Sequence, residues 1–273
     1  MWMWRPVGVI EVSMFLTGLL LGSFFNVCIY RVPREEFFAS ARSRCPRCFE
    51  MIPFWWNIPV LSYLVLKGKS NCCQKPISIR YPLVEILTAC LFVVAYRSFP
   101  FLYTLSEPWV FQPLQCLRWA HALFLMCFLF VCSVIDLEHM IIPDVFSLPM
   151  LAMTPLAVWL HPELSWHSSL AGIIAGWAMV TIPSWLYLIL RKQEGMGMGD
   201  AKLLAVIGGW LGVESVFPTM FFGSILGSFV GVSWMIVTRK MDMKLAIPFG
   251  PFLSLGAVTH LLGGAALSRW IWP

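Results

Sequence analysis

The sequence predicts an all-α protein: a polytopic membrane helix bundle of about eight transmembrane helices, with a small cytoplasmic, cysteine-containing insertion between the first two. Three observations predict it. Of 273 residues, 59% are hydrophobic and only 12% charged, with a mean hydropathy of +0.77, and that charged share is about half of what a soluble domain carries. Eight apolar runs approach the ~20 residues needed to cross a bilayer. Fifteen of the nineteen basic residues fall on one face of the resulting topology, as the positive bias of cytoplasmic loops requires.

In chain order the runs are Val7–Tyr30, Pro82–Tyr96, Gln115–Ile135, Val145–Leu160, Ser169–Leu190, Ala201–Val213, Phe217–Thr238 and Ile247–Leu267. The uninterrupted part of the first, Val12 to Tyr30, exceeds the apolar core of a cleavable signal and ends without a small-residue cleavage site. The sixth is short and holds Gly208-Gly209, so protein rather than lipid is expected to surround it. Glycines four apart, Gly172 and Gly176 in the fifth run and Gly223, Gly227 and Gly231 in the seventh, predict close helix packing. The expected divisions are 1–30, a first transmembrane helix; 31–80, the insertion; 81–112, a second helix and external loop; and 113–273, a six-helix bundle.

Orientation follows from the basic residues. Arg31, Arg34, Arg42, Arg44, Arg47, Lys67, Lys69, Lys75 and Arg80 all lie in the insertion, which places it in the cytoplasm. The same alternation of spans brings Asp136 and Asp200 to the cytoplasmic face. The net charge of +5 expresses this asymmetry and gives no reason to expect nucleic acid. The lipid bilayer is the expected partner.

Asp136 and Asp200 each stand where an apolar run meets a polar loop, and Asp200 closes Gly195-Met196-Gly197-Met198-Gly199-Asp200. Acids at a membrane margin are expensive and usually functional. Two carboxylates brought close share a proton, leaving one ionised group to activate water and one protonated group to polarise a carbonyl. The glycines are expected to give the loop backbone conformations closed to other residues. Helix capping is the competing reading for Asp200, before Ala201-Lys202, and for Asp144, after Pro143. No Lys or Arg occurs between Arg118 and Arg191. The loop therefore offers Asp136, Glu138 and Asp144, and Glu138 and Asp144 are expected to attract a cationic substrate segment. No serine-elbow or His-Glu-x-x-His pattern is present, and the five histidines lack metal-ligand spacing. A transporter is disfavoured because both acids lie at one face.

Cys45, Cys48, Cys72 and Cys73 gather in the insertion. In a reducing compartment they point to a metal rather than to disulfides, and four thiolates suit structural zinc. The second pair departs from Cys-x-x-Cys: Ser70 stands where its first cysteine would fall, and Cys72 adjoins Cys73. Three thiolates with another ligand, or a zinc-free loop, are the alternatives. The remaining cysteines are expected to be small buried apolar residues. Glu85, early in the second span, is expected to pair with a base such as Arg80, with fastening of the insertion as the alternative.

These motifs form an ordered series along almost the whole chain. The first is Gly22-Ser23-Phe24-Phe25-Asn26-Val27-Cys28-Ile29-Tyr30-Arg31-Val32-Pro33, followed by Cys45-Pro46-Arg47-Cys48 and Asn57-Ile58-Pro59. Next come Pro76-Ile77-Ser78-Ile79-Arg80-Tyr81-Pro82-Leu83-Val84-Glu85, Ile135-Asp136, Ile142-Pro143-Asp144, the glycine string with Asp200-Ala201-Lys202, and Ile247-Pro248-Phe249-Gly250-Pro251-Phe252. In them the chain resembles the type IV prepilin peptidases, membrane-embedded leader peptidases/N-methyltransferases of pilus and type II secretion systems. The resemblance implies that Asp136 and Asp200 are the catalytic aspartates. It implies substrates of one class, prepilins or pseudopilins whose short basic leader is cut after a glycine at the cytoplasmic face of the bacterial inner membrane. It also implies N-methylation of the new terminus with S-adenosylmethionine as methyl donor, associated with the insertion, although no glycine-rich nucleotide loop marks a donor site. The peptidase chemistry itself needs no cofactor. A peptidase without methyltransferase activity, or a non-catalytic partner in pilin assembly, would share the motifs.

Overall fold

The computed structural model describes residues 8–35, 45, 47–48, 50–103, 110–192, 197–238 and 248–271, with side chains at all of these but 54, 103 and 264–271. Gly195 and Met196 of the glycine string, Ile247, and Arg42 and Arg44 lie outside the described residues. The chain divides into two compact units, 1–119 and 120–273.

In the first unit, α1 (Val9–Arg31) and α3 (Arg80–Ser98) pack against each other. The cause is local: a methyl group on Gly22 would sit 2.6 Å from the Glu85 Cα, and one on Gly18 would meet the Ala89 backbone equally closely. Backbones this near exclude any side chain at those two positions. Polar links reinforce the pair. The Asn26 amide donates to the Tyr81 carbonyl at 3.0 Å, and Arg97 meets Glu11 at 2.9 Å, so a buried acid has its opposite charge. Between the two helices the insertion carries a 3-10 turn at Phe54–Asn57, the short α2 (Leu61–Val65) and a tight hairpin closed by a bridge between Lys69 and Pro76. After α3, β1 (Leu102–Tyr103) and β2 (Val110–Phe111) pair antiparallel, Leu102 opposite Phe111.

The division between the units falls within α4 (Pro113–His139). The second unit then holds α5 (Asp144–Ala152), α6 (Thr154–Leu160), α7 (Trp166–Arg191), α8 (Met198–Leu211), α9 (Val216–Thr238) and α10 (Gly250–Ile271). Helix α8 is its centre. Ala201 and every residue from Leu203 to Trp210 are buried, and α7, α5, α6 and α10 all touch it. The predicted glycine packing is present. Gly172 and Gly176 bring α7 onto the α8 backbone at Gly208 and Leu204, and Gly223 brings α9 to Phe252 and Leu253 of α10. The Ser169 hydroxyl adds a 2.7 Å bond to the Gly209 carbonyl. The Trp210 indole N–H, fully buried, donates to Met150 at 2.9 Å.

Five described helices are long and apolar enough to span a membrane: Val9–Arg34, Arg80–Ser98, Pro113–His139, Trp166–Arg191 and Val213–Val237. This is a membrane protein, but the eight expected spans are not all of that kind. The fourth run breaks at Met153 into α5 and α6, because Pro155 has no N–H to continue the ladder. The sixth is α8, only 14 residues. It spans about 21 Å against a hydrocarbon core of about 30 Å and is enclosed by protein, as its length suggested. The eighth is α10, of 22 residues, with side chains described only to residue 263.

Candidate active site

Asp136 lies in the last turn of α4, where burial leaves it 5% exposed. The turn ends because Met140 adopts φ 53°, its N–H still bonded to the Asp136 carbonyl at 2.9 Å. The Asp136 Oδ2 accepts from the Gly250 N–H at 2.9 Å. Gly250 begins α10, so the carboxylate meets an unsatisfied amide at the positive end of a helix. A Cβ on Gly250 would come within 2.8 Å of the same oxygen. The sequence motif Pro248-Phe249-Gly250 is thereby explained as the approach of a backbone to an acid. The sequence displays the motif but not that role, for which the available signal was a glycine between prolines at a helix start.

Asp200 lies in the first turn of α8, half-buried. It is not the helix cap: Gly197 holds that position, with no side-chain cap. Asp144 likewise begins α5 behind a Pro143 cap. The capping reading fails for both. Burial, and then the negative charge of Asp136, push the Asp200 carboxyl up to about 7. The structure thus brings the two acids within electrostatic reach of each other. The glycine string serves it differently from expectation. Gly197 has an ordinary extended φ of −66°, so no special backbone conformation is used there. Gly199 instead permits closeness, since a methyl group on it would press on the Ile142 Cβ at 3.2 Å. Ile142 is buried in the core, and through this contact the loop after α4 rests on the start of α8.

The residues expected to collect a cationic segment are not free carboxylates in a row. Asp144 is bonded to Lys202 at 2.5 Å, and Glu138 lies 4.0 Å from His139. Pairing with Lys202 cancels the charge that Asp144 was expected to present.

In the insertion the sulfurs of Cys45, Cys48, Cys72 and Cys73 all lie within 4.8 Å of one another. Cys48 and Cys72 are 3.1 Å apart, and Cys45 and Cys73 3.8 Å. A tetrahedral ion with Zn–S bonds of about 2.3 Å has ligand edges of about 3.8 Å, so the four sulfurs fit zinc after small shifts. The adjacent Cys72-Cys73 pair manages this because the hairpin turns sharply there. The Gln74 N–H bonds to the Ser70 carbonyl at 2.9 Å, and Gln74 takes φ 57°. The Ser70 hydroxyl is also present, 2.9 Å from the Cys72 sulfur. Burial opposes ionisation of Cys45, but the amides of Cys48 and Arg47 and the Ser70 hydroxyl bring its thiol down to about 6. At Cys48 the Glu50 amide favours the thiolate, yet Cys72, burial and the other two cysteines push it up to about 12. One thiolate therefore suppresses the next, a conflict that a dication relieves.

Elsewhere, Cys28 and Cys132 are buried as expected, whereas Cys90 is exposed on α3. Glu85 takes the alternative reading rather than a basic partner: its Oε2 accepts from the Val60 N–H at 2.7 Å, and the Ser23 hydroxyl bonds to it as well.

A bundle of membrane helices with two electrostatically linked aspartates at helix ends defines a class, the intramembrane proteins with a paired-carboxylate site. Comparison with known proteins narrows it. Residues 16–99 match the Bacterial Peptidase A24 N-terminal domain, and residues 123–232 the Type IV leader peptidase family. The chain is similar to the prepilin leader peptidase/N-methyltransferase of Aeromonas hydrophila, 35% identical over 94% of this chain and 91% of the relative. The corresponding protein of Pseudomonas aeruginosa is 34% identical over 93% and 90%. A type 4 prepilin-like proteins leader peptide-processing enzyme of Escherichia coli O78:H11 is 34% identical over 89% and 90%. No solved structure matches the chain. The chain belongs to the type IV leader peptidase family and is an enzyme of that family.

Proposed function

We propose that this protein is an aspartic endopeptidase of the bacterial inner membrane that removes the basic leader of type IV prepilins and pseudopilins on the cytoplasmic side, after a glycine. The observation that carries the proposal is the burial of Asp136 and Asp200 within reach of each other's charge. Asp136, which accepts the Gly250 N–H at 2.9 Å, is placed to act as the base that takes a proton from water. Asp200, with its carboxyl near 7, is suited to start protonated and to donate towards the scissile carbonyl oxygen. Water attacks the carbonyl carbon, and the tetrahedral intermediate collapses as a proton passes to the leaving amine. No covalent enzyme intermediate forms. The pair titrates together, so its apparent pKa values belong to both groups.

N-methylation of the new terminus is supported by the names of the relatives. S-adenosylmethionine would supply the methyl group as co-substrate. Zinc held by Cys45, Cys48, Cys72 and Cys73 would fasten the insertion and take no part in hydrolysis. One experiment tests both activities: incubation of the purified protein with a prepilin and methyl donor, then mass spectrometry of the new terminus. An uncut precursor would overturn the peptidase reading in favour of a non-catalytic assembly partner. A cut but unmethylated product would leave a peptidase alone.

A further inference from the structure

We propose that the segment Trp55–Val65 of the insertion is an interfacial wedge, seated in the headgroup–acyl boundary of the leaflet where α1 ends and α3 begins, with anionic lipid as its partner. Depth is the first argument. Val60 is tied by its N–H to Glu85 at 2.7 Å, and Glu85 lies five residues into α3, which begins at Arg80. Five residues of helix advance about 7.5 Å, and the Glu85 side chain leans back only part of that way. The tie therefore holds the backbone of this segment beside the membrane end of α3 rather than out in the cytoplasm.

Surface is the second argument. Trp55, Ile58, Leu61, Leu64 and Val65 are all exposed, Leu64 at 64% and Val65 at 58%. Five large apolar side chains displayed within eleven residues would be a liability on a water-facing loop. The display is continuous in kind with the apolar surface at the start of α3 next to it, where Ile79, just before the helix, and Leu83 and Leu87 within it are exposed. A tryptophan at its edge is the residue most at home in the interface. Orientation is also held. Val60 takes φ 59° with ψ −46°, a positive-φ conformation that a β-branched residue adopts only when its surroundings demand it. The segment is thus kept from turning this face inward.

Charge is the third argument. No acidic residue occurs between Glu50 and Glu85, whereas Lys67, Lys69, Lys75 and Arg80 do, and the three lysines are exposed. An apolar face bordered by lysines matches the chemistry of an anionic leaflet. A partner protein is the competing occupant, and the test separates the two.

The experiment places an environment-sensitive fluorescent amino acid singly at Leu64, Val65, Gln74 or Leu87 of the full chain, reconstituted in bilayers containing anionic lipid. Acyl chains brominated near the headgroup quench from the boundary, and iodide quenches from water. Leu64 and Val65 should show at least half the bromolipid quenching seen at Leu87, and less than half the iodide quenching seen at Gln74, which is exposed on the hairpin. Iodide quenching equal to that at Gln74 would overturn the proposal. Protection from both quenchers would overturn it too, because protein would then cover the face. Exchanging anionic for zwitterionic lipid should reduce bromolipid quenching at Val65, and an unchanged value would strike out the lysines as its cause. Labels at Ile58 and Leu61, exposed on the same segment, replace any variant that fails to fold and are judged by the same ratios.

Discussion

The paired acids and the four cysteines are both clusters of like groups that repel when ionised, yet the molecule assembles them by opposite means. The acids sit on helix ends whose positions are set by packing: α8 is enclosed by its neighbours, Gly199 lets Ile142 in, and Gly250 brings a helix start onto Asp136. The cysteines sit on turns. Between Val60 and Gln74 the chain takes four positive φ values, at Val60, Lys67, Gly68 and Gln74, and only one of these residues is glycine. In the described part of the second unit, positive φ is confined to Met140, Lys192 and Gly212, at or just beyond helix ends. A core positions groups without local strain. A small insertion must bend its backbone instead, and it then needs a metal, or a lipid surface, to hold the result.

The largest effect should come from the acids. Asp136→Asn or Asp200→Asn should lower prepilin cleavage by about 10²–10⁴-fold, the range for loss of a general acid or base, while each variant keeps its melting temperature. Cleavage by either variant near the normal rate would mean that packing, not chemistry, conserves this geometry. Next is the glycine that touches the pair. Gly250→Ala should reduce turnover by about 10²-fold, because a shift of about 1 Å misplaces a reacting group by that much. It should leave zinc content unchanged, which distinguishes it from general unfolding.

A pH profile sharpens the same contrast. Asp200 must be protonated to donate, and its carboxyl lies near 7, so turnover should fall about tenfold for each pH unit above that value. The stability sign is consistent. A carboxyl raised from its ordinary value near 3.9 contributes below that pH and loses its contribution as pH rises towards 7. A rate independent of pH from 6 to 9 would contradict the assignment.

The metal prediction concerns the other cluster. The purified protein should hold about one zinc per chain, the stoichiometry of a four-thiolate site. Cys45→Ser should abolish binding and open residues 45–76 to proteolysis, with cleavage of a prepilin preserved. Ser70→Ala should keep the metal, as expected if all four ligands are sulfur. The smallest effect belongs to the exposed pair Asp144–Lys202. Asp144→Asn should cost about 0.2–1 kcal/mol of stability, and, because Lys202 already neutralises that carboxylate, should scarcely alter capture of a basic leader at low salt.

How much of this was legible in the sequence follows the same division. Apolar runs, glycines four apart and the excess of basic residues report packing and topology, and from them the bundle and its two acids could be read. The break at Met153 was less visible, because Pro149 and Pro155 interrupt hydrogen bonding without interrupting hydropathy. The glycine string was visible, but its purpose was not, since closeness between Gly199 and Ile142 depends on a loop fifty-seven positions away. Glu85 was assigned a basic partner by the usual rule, and the actual donor is a backbone amide that no side-chain pattern reveals. The doubtful second cysteine pair turned on a single dihedral at Gln74, which composition cannot convey.

A protease immersed in oil must still be supplied with its other reactant. Helix α8 falls about 9 Å short of the hydrocarbon thickness, and Asp200 stands at its beginning. Chain that is not helical at that depth is tolerated only against protein or beside solvent. Backbone that continues past the ends of so short a helix needs protein or water as its hydrogen-bonding partner, and water at that level is also what hydrolysis consumes.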